Sequence, residues 1–119
     1  MAVTNIPKPY EGYKEYTLTK DSGATNLTLI RSHACKQGKT AFIQVVGSIS
    51  ASQDETSVVF IKLPDDLKPV YNVEGRSPSA NAGIDANFSV NVNGNLSIIR
   101  SPSLTAGNFR INVSYPTAT

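Results

Sequence analysis

The chain has 119 residues, a net charge of +2, and a hydrophobic fraction of 39% against 17% charged residues. That length fits one domain, and a core of this size can form without disulfides or metal. Lys and Arg are scattered rather than striped, which gives nucleic acid no track to follow, and no apolar run of 18 or more residues offers a transmembrane helix.

Residues 1–12 hold Pro7, Pro9 and Gly12 with little periodicity and read as an extended N-terminal arm; residues 13–119 read as a single β domain. The first predicted strand covers residues 13–19 (YKEYTLT), with a turn at Lys20-Asp21-Ser22-Gly23. Residues 26–35 (NLTLIRSHAC) and 40–50 (TAFIQVVGSIS) are strands on either side of Lys36-Gln37-Gly38-Lys39, where Gly38 is free to take a positive φ. The second of them is apolar on both faces, with Phe42 and Val46 opposite in direction to Ile43, Val45 and Ile49. It is therefore predicted to be central and well covered. Gly47 within it marks a bulge or the close approach of a bulky neighbour.

Residues 57–63 (SVVFIKL) form the next strand, and Leu63-Pro64 and Lys68-Pro69 bracket a tight corner at Asp65-Asp66. A short strand is predicted over residues 70–74. Residues 75–83 (GRSPSANAG) are the longest run of turn formers and the expected exposed loop. Residues 86–100 then read as a hairpin: Phe88, Val90 and Val92 alternate with Asn87, Ser89 and Asn91 before Asn93-Gly94. A two-residue loop there would put the two strands' apolar sets on opposite faces. A three-residue loop, Val92-Asn93-Gly94 with Gly94 left-handed, pairs Val90 with Leu96 and Phe88 with Ile98, and is favoured. After a loop over residues 101–107, the last strand sets Phe109, Ile111, Val113 and Tyr115 on one face and ends at Pro116. About eight strands with turns every 8–12 residues predict an all-β antiparallel β-sandwich, or a jelly roll.

Catalytic groups are sparse. His33 and Cys35 are the only histidine and cysteine, and their spacing puts both on one face of a strand. A dyad there lacks a helix start, a Gly-rich elbow and an orienting carboxylate, and Cys35 reads instead as a buried small hydrophobe. A single cysteine leaves no internal disulfide. The Asp54-Glu55 and Asp65-Asp66 pairs lie in turns, where solvation or a loop calcium site are the two readings. Cys and His are too few for a zinc site, so no enzyme, metal or cofactor is expected. Four Asn-x-Ser/Thr sequons, at Asn26, Asn87, Asn95 and Asn112, read as wet-face strand residues, because the N-terminus lacks a secretory signal and the protein is expected to be made in a cytoplasm. What remains is binding. Tyr13, Tyr16, Tyr71 and Arg76 can stack on or hydrogen-bond to a sugar or protein surface, and Tyr71 and Arg76 are the candidate contact residues.

Four elements between residues 38 and 117 carry a resemblance: Lys39-Thr40-Ala41-Phe42-Ile43-Gln44-Val45-Val46-Gly47, Leu63-Pro64-Asp65-Asp66-Leu67-Lys68-Pro69, Val92-Asn93-Gly94-Asn95-Leu96-Ser97-Ile98, and the terminal strand ending in Tyr115-Pro116-Thr117. The stretch resembles the C-terminal domains of small virion structural proteins and of tail-fibre or baseplate receptor-binding proteins of bacteriophages. That resemblance implies a β-sandwich or jelly-roll head, commonly a homotrimer in a virion among other virion proteins. Such a head binds a host-surface saccharide or protein, or decorates a capsid or head fibre, without nucleic-acid binding or membrane insertion.

Overall fold

The computed structural model describes residues 12–25, 27–49, 57–77, 86–99 and 107–119. They form β1 (Tyr13–Tyr16), β2 (Leu27–Gln37), β3 (Thr40–Ile49), β4 (Ser57–Lys62), β5 (Val73–Ser77), β6 (Ala86–Val90), β7 (Asn95–Ile99) and β8 (Gly107–Pro116), with one 3-10 turn at Asp65–Leu67. Two antiparallel four-stranded sheets result. The first runs β1-β2-β3-β8 and the second β4-β7-β6-β5. The molecule is the all-β sandwich that the alternation predicts.

Period-two patterning places the core between the sheets. From the first sheet come Leu27, Ala34, Ala41, Ile43, Val45, Ile49, Phe109, Ile111 and Tyr115; from the second, Phe60, Ile61, Phe88, Val90, Leu96 and Ile98, all buried in one cluster. Phe60 and Phe109 meet edge to face across the interior, centroids 5.4 Å apart. Gly47 lies directly opposite Phe109 on β8, and a Cβ there would fall 2.4 Å from the ring. The close approach expected at Gly47 is therefore Phe109.

Each sheet contains one bulged strand. In β4 the register shifts between Val59 and Ile61, which lets Phe60 and Ile61, neighbours in sequence, both reach the core. In β2 the shift lies between Leu29 and Arg31. It reverses the parity of the strand: Leu27 points inward before it and Ala34 and Lys36 after it, so Arg31, His33 and Cys35 face outward. Cys35 is accordingly half-exposed rather than the buried hydrophobe that uninterrupted alternation predicts. Lys36 points inward at the end of the sandwich, where its Nζ donates to the Thr119 main-chain oxygen at 2.7 Å.

The hairpin has the favoured three-residue loop. Val90 pairs with Leu96 and Phe88 with Ile98, the Gly94 N–H donates to the Asn91 carbonyl at 2.8 Å, and Gly94 takes φ +89°. Gly38 likewise has φ +60° in the turn between Gln37 and Thr40. Three expectations are corrected. Strand β3 is central in its sheet, but only its inner face is covered; Phe42 on the other face is 43% exposed. The strand predicted over residues 70–74 begins only at Val73, because the Val70 N–H goes to the Pro116 carbonyl instead of a ladder. Gly75 and Arg76 belong to β5 and not to a loop, since Gly75 is the gap into which the opposing Phe88 ring folds. The N-terminal arm up to residue 11, the Asp54-Glu55 pair, the loop from residue 78 to 85 and the loop from 100 to 106 lie outside the described residues.

Candidate functional site

The residues singled out as binders occupy separate settings. Tyr71 is 57% exposed in the irregular stretch ahead of β5, and Arg76 projects outward from β5, the edge strand of the second sheet. Tyr13 donates its hydroxyl to Glu15 Oε1 at 3.0 Å. That bond, with some desolvation and the neighbouring Cys35, pushes the phenol up to about 12. Tyr16 is structural: partly buried, it donates to Asp66 Oδ2 at 3.1 Å, and Lys14 sits over its ring at 5.0 Å. Burial and the Asp66 bond raise its pKa.

The Asp65-Asp66 corner is tied up by lysines. Asp65 accepts from Lys68 at 2.8 Å, which lowers the Asp65 pKa, and Asp66 lies 3.6 Å from Lys14. Among the described residues, no group of three or more His, Cys, Asp or Glu side chains is placed to hold a metal ion.

A concave surface lies elsewhere, on the outer face of the first sheet. Two hollows of about 440 and 530 Å³ share His33, Gln44 and Asn112 and so form one shallow groove across β2, β3 and β8. Strand register orders its side chains in rows. Arg31, Val46 and Arg110 are cross-strand neighbours; next come His33, Gln44 and Asn112; then Cys35, Phe42 and Ser114. Successive rows are about 7 Å apart along the strands, and neighbouring strands about 4.8 Å apart. The groove thus offers guanidinium groups at one end, planar amides and an imidazole in the middle, and an exposed aromatic ring at the other. Neither Tyr71 nor Arg76 lines it.

His33 and Cys35 do share a face, as their spacing predicts, and both line the groove. The strands that carry the groove contain no Asp or Glu, so no carboxylate on them is available to orient His33. The chemistry of the face is recognition: donors and acceptors for hydroxyls, cations for oxyanions, and an aromatic platform. Sequence reasoning treats Phe42 and Val46 as covered core, reads Asn112 as an ordinary wet-face residue and gives Gln44 and Arg110 no role. The signal for Gln44, Arg110 and Asn112 was present in the alternation of β3 and β8; the signal for Arg31 was hidden by the β2 bulge.

No family model matches the chain, and no curated protein sequence matches it. Among solved structures it is similar to the crystal structure of the receptor binding protein (gp15) of Listeria phage PSA, with a TM-score of 0.64 and 17% identity. The likeness covers 90% of this chain, which in turn spans 66% of the length of that one. The resemblance to bacteriophage receptor-binding proteins that the short motifs carry is thus met by a likeness of fold to one such protein, and the arrangement of strands is what the two share.

Proposed function

We propose that the chain is the head domain of a phage tail or baseplate receptor-binding protein. In this reading it is a non-enzymatic part of the virion that acts as a homotrimer beside other virion proteins and contacts a saccharide or protein on the host surface. The observation that carries the proposal is the likeness of its strand arrangement, over 90% of its length, to a phage receptor binding protein. The physical character of the molecule supports it. A two-layer sandwich holds a grooved, polar sheet face on a continuous ladder of paired strands, and that suits recognition by display. The exposed apolar side chains Ile30, Val70 and Val92, none of which lines the groove, are of the kind that assembly of copies covers.

The test is attachment. The purified, fluorescently labelled chain is expected to bind isolated envelopes of its host and to compete with phage adsorption, and light scattering is expected to return three times the mass of one chain. Failure to bind any host envelope, with the fold intact by circular dichroism, would overturn the receptor-binding reading. A monomeric mass would overturn the trimer alone.

A further inference from the structure

We infer that the row Arg31–Val46–Arg110 is a subsite for an anionic group on the bound saccharide, a sugar phosphate or a sugar carboxylate. This deepens the receptor-binding reading and rests on it for the saccharide. Three observations carry it. First, charge is segregated: the chain has nine carboxylates, yet β2, β3 and β8 contain none, while Arg31 and Arg110 both stand on their outer face. The nearest acid in this sheet is Glu15 on β1, whose carboxylate accepts from Tyr13. Second, Arg31 and Arg110 are both register partners of the same residue, Val46. Their Cα atoms are then two strand spacings apart, about 10 Å, a separation over which two long guanidinium side chains converge on one oxyanion. Third, the parity reversal at the β2 bulge is what turns Arg31 and His33 outward, and both line the groove together with Arg110.

The neighbouring rows suit the rest of a sugar. His33, Gln44 and Asn112 supply hydrogen bonds for ring hydroxyls, and Phe42 offers a flat apolar surface to the C–H face of the ring. The oxyanion would lie over Val46, whose half-buried aliphatic side chain stands between the two arginines in the row.

The experiment is an NMR titration of the full chain with glucose 1-phosphate, glucuronate and glucose as probes. Both anionic probes, or one of them, are expected to shift the amides of Arg31, Val46 and Arg110, to bind at least about ten-fold more tightly than glucose, and to weaken as salt rises. Arg31→Ala and Arg110→Ala are each expected to remove that ten-fold preference and keep the circular dichroism spectrum, while Lys62→Ala on β4 leaves it unchanged. Comparing glucose 1-phosphate with glucuronate tells phosphate from carboxylate. Equal binding of glucose and the anionic probes overturns the inference. So does retention of the preference in both Arg variants, a shift map on the second sheet, or no shift at tens of millimolar probe. If the Arg31→Ala/Arg110→Ala double variant still attaches to host envelopes as the parent does, the subsite fails and the receptor-binding reading stands. If the probes bind the row but no envelope does, the reading fails and the subsite stands.

Discussion

Gly47 on β3 faces Phe109 on β8, and Gly75 on β5 faces Phe88 on β6, so each sheet has one glycine beneath a ring from the opposite strand. The reason is volume. Phe109 is fully buried against Phe60, and only a residue without Cβ leaves room for its ring. Gly47→Ala is expected to cost about 1–3 kcal/mol through overpacking, read as a lower melting temperature, and Gly47→Ala/Phe109→Leu is expected to recover part of that loss. Tyr115 is the second informative residue. Its buried hydroxyl donates to the Leu67 carbonyl at 2.6 Å, and burial raises its pKa above the ordinary 10. Because the folded value is the higher one, the contribution to stability is complete below about pH 10 and is lost as the pH climbs from there toward the raised folded value. Tyr115→Phe is expected to lower stability at neutral pH by about 1–3 kcal/mol, since the Leu67 carbonyl loses its partner. It is also expected to flatten the fall in melting temperature between pH 9 and 11, which thermal melts across that range would show.

Hairpin β6–β7 was readable in advance because two independent signals agree. Alternating Phe88 and Val90 must share a face with Leu96 and Ile98, and only a three-residue loop allows that with Asn93-Gly94 at its tip. The bulges were not readable. NLTLIRSHAC scans as well with one parity as with the other, and only pairing with β3 decides where the extra residue is absorbed. That one shift accounts for the misplacement of Cys35 and for the invisibility of Arg31 as a surface residue. Likewise, residues 75–77 scan as turn formers because Gly75 and Ser77 are poor strand residues taken alone; Phe88 supplies the packing that Gly75 lacks. Removing the extra residue is the direct check. Deletion of Ile30, which is 54% exposed, is expected to leave a folded protein by circular dichroism, since Leu29 stays opposite Gly47 and Arg31 opposite Val46 in an unbroken ladder. Inserting one residue between Ala34 and Cys35 is instead expected to abolish soluble folded protein. Ile30→Thr is expected to fold normally by circular dichroism.

For the molecule as a whole, composition and turn spacing were sufficient for a two-layer β fold, because the inward alternation of β3 and β8 leaves no other way to bury Ile43, Val45, Phe109 and Ile111. They were insufficient for the groove, which exists only where β8, from the far end of the chain, is set beside the β2–β3 hairpin. The sandwich is closed at one end by the last residues. Thr117 donates its N–H to the Lys39 carbonyl at 2.8 Å, Ala118 donates to the Lys68 carbonyl at 2.9 Å, and Thr119 accepts from the inward-pointing Lys36. These bonds tie the β2–β3 turn and the corner after β4 to one strap. Truncation after Pro116 is expected to lower stability by about 3 kcal/mol, measured by urea unfolding, chiefly because the Lys36 ammonium is left without its acceptor.

The kink at Ile30 separates the duties of β2. Upstream of it, Leu27 answers to the interior; downstream, Arg31, His33 and Cys35 face outward into the groove. Substitutions at those three sites escape the penalty that core positions impose, so the chemistry of the groove is free to change there while the thermal tolerance of the fold stays put. A library randomised at Arg31, His33 and Cys35 should therefore return folded members far more often than one randomised at Leu27, Ala34 and Ile43.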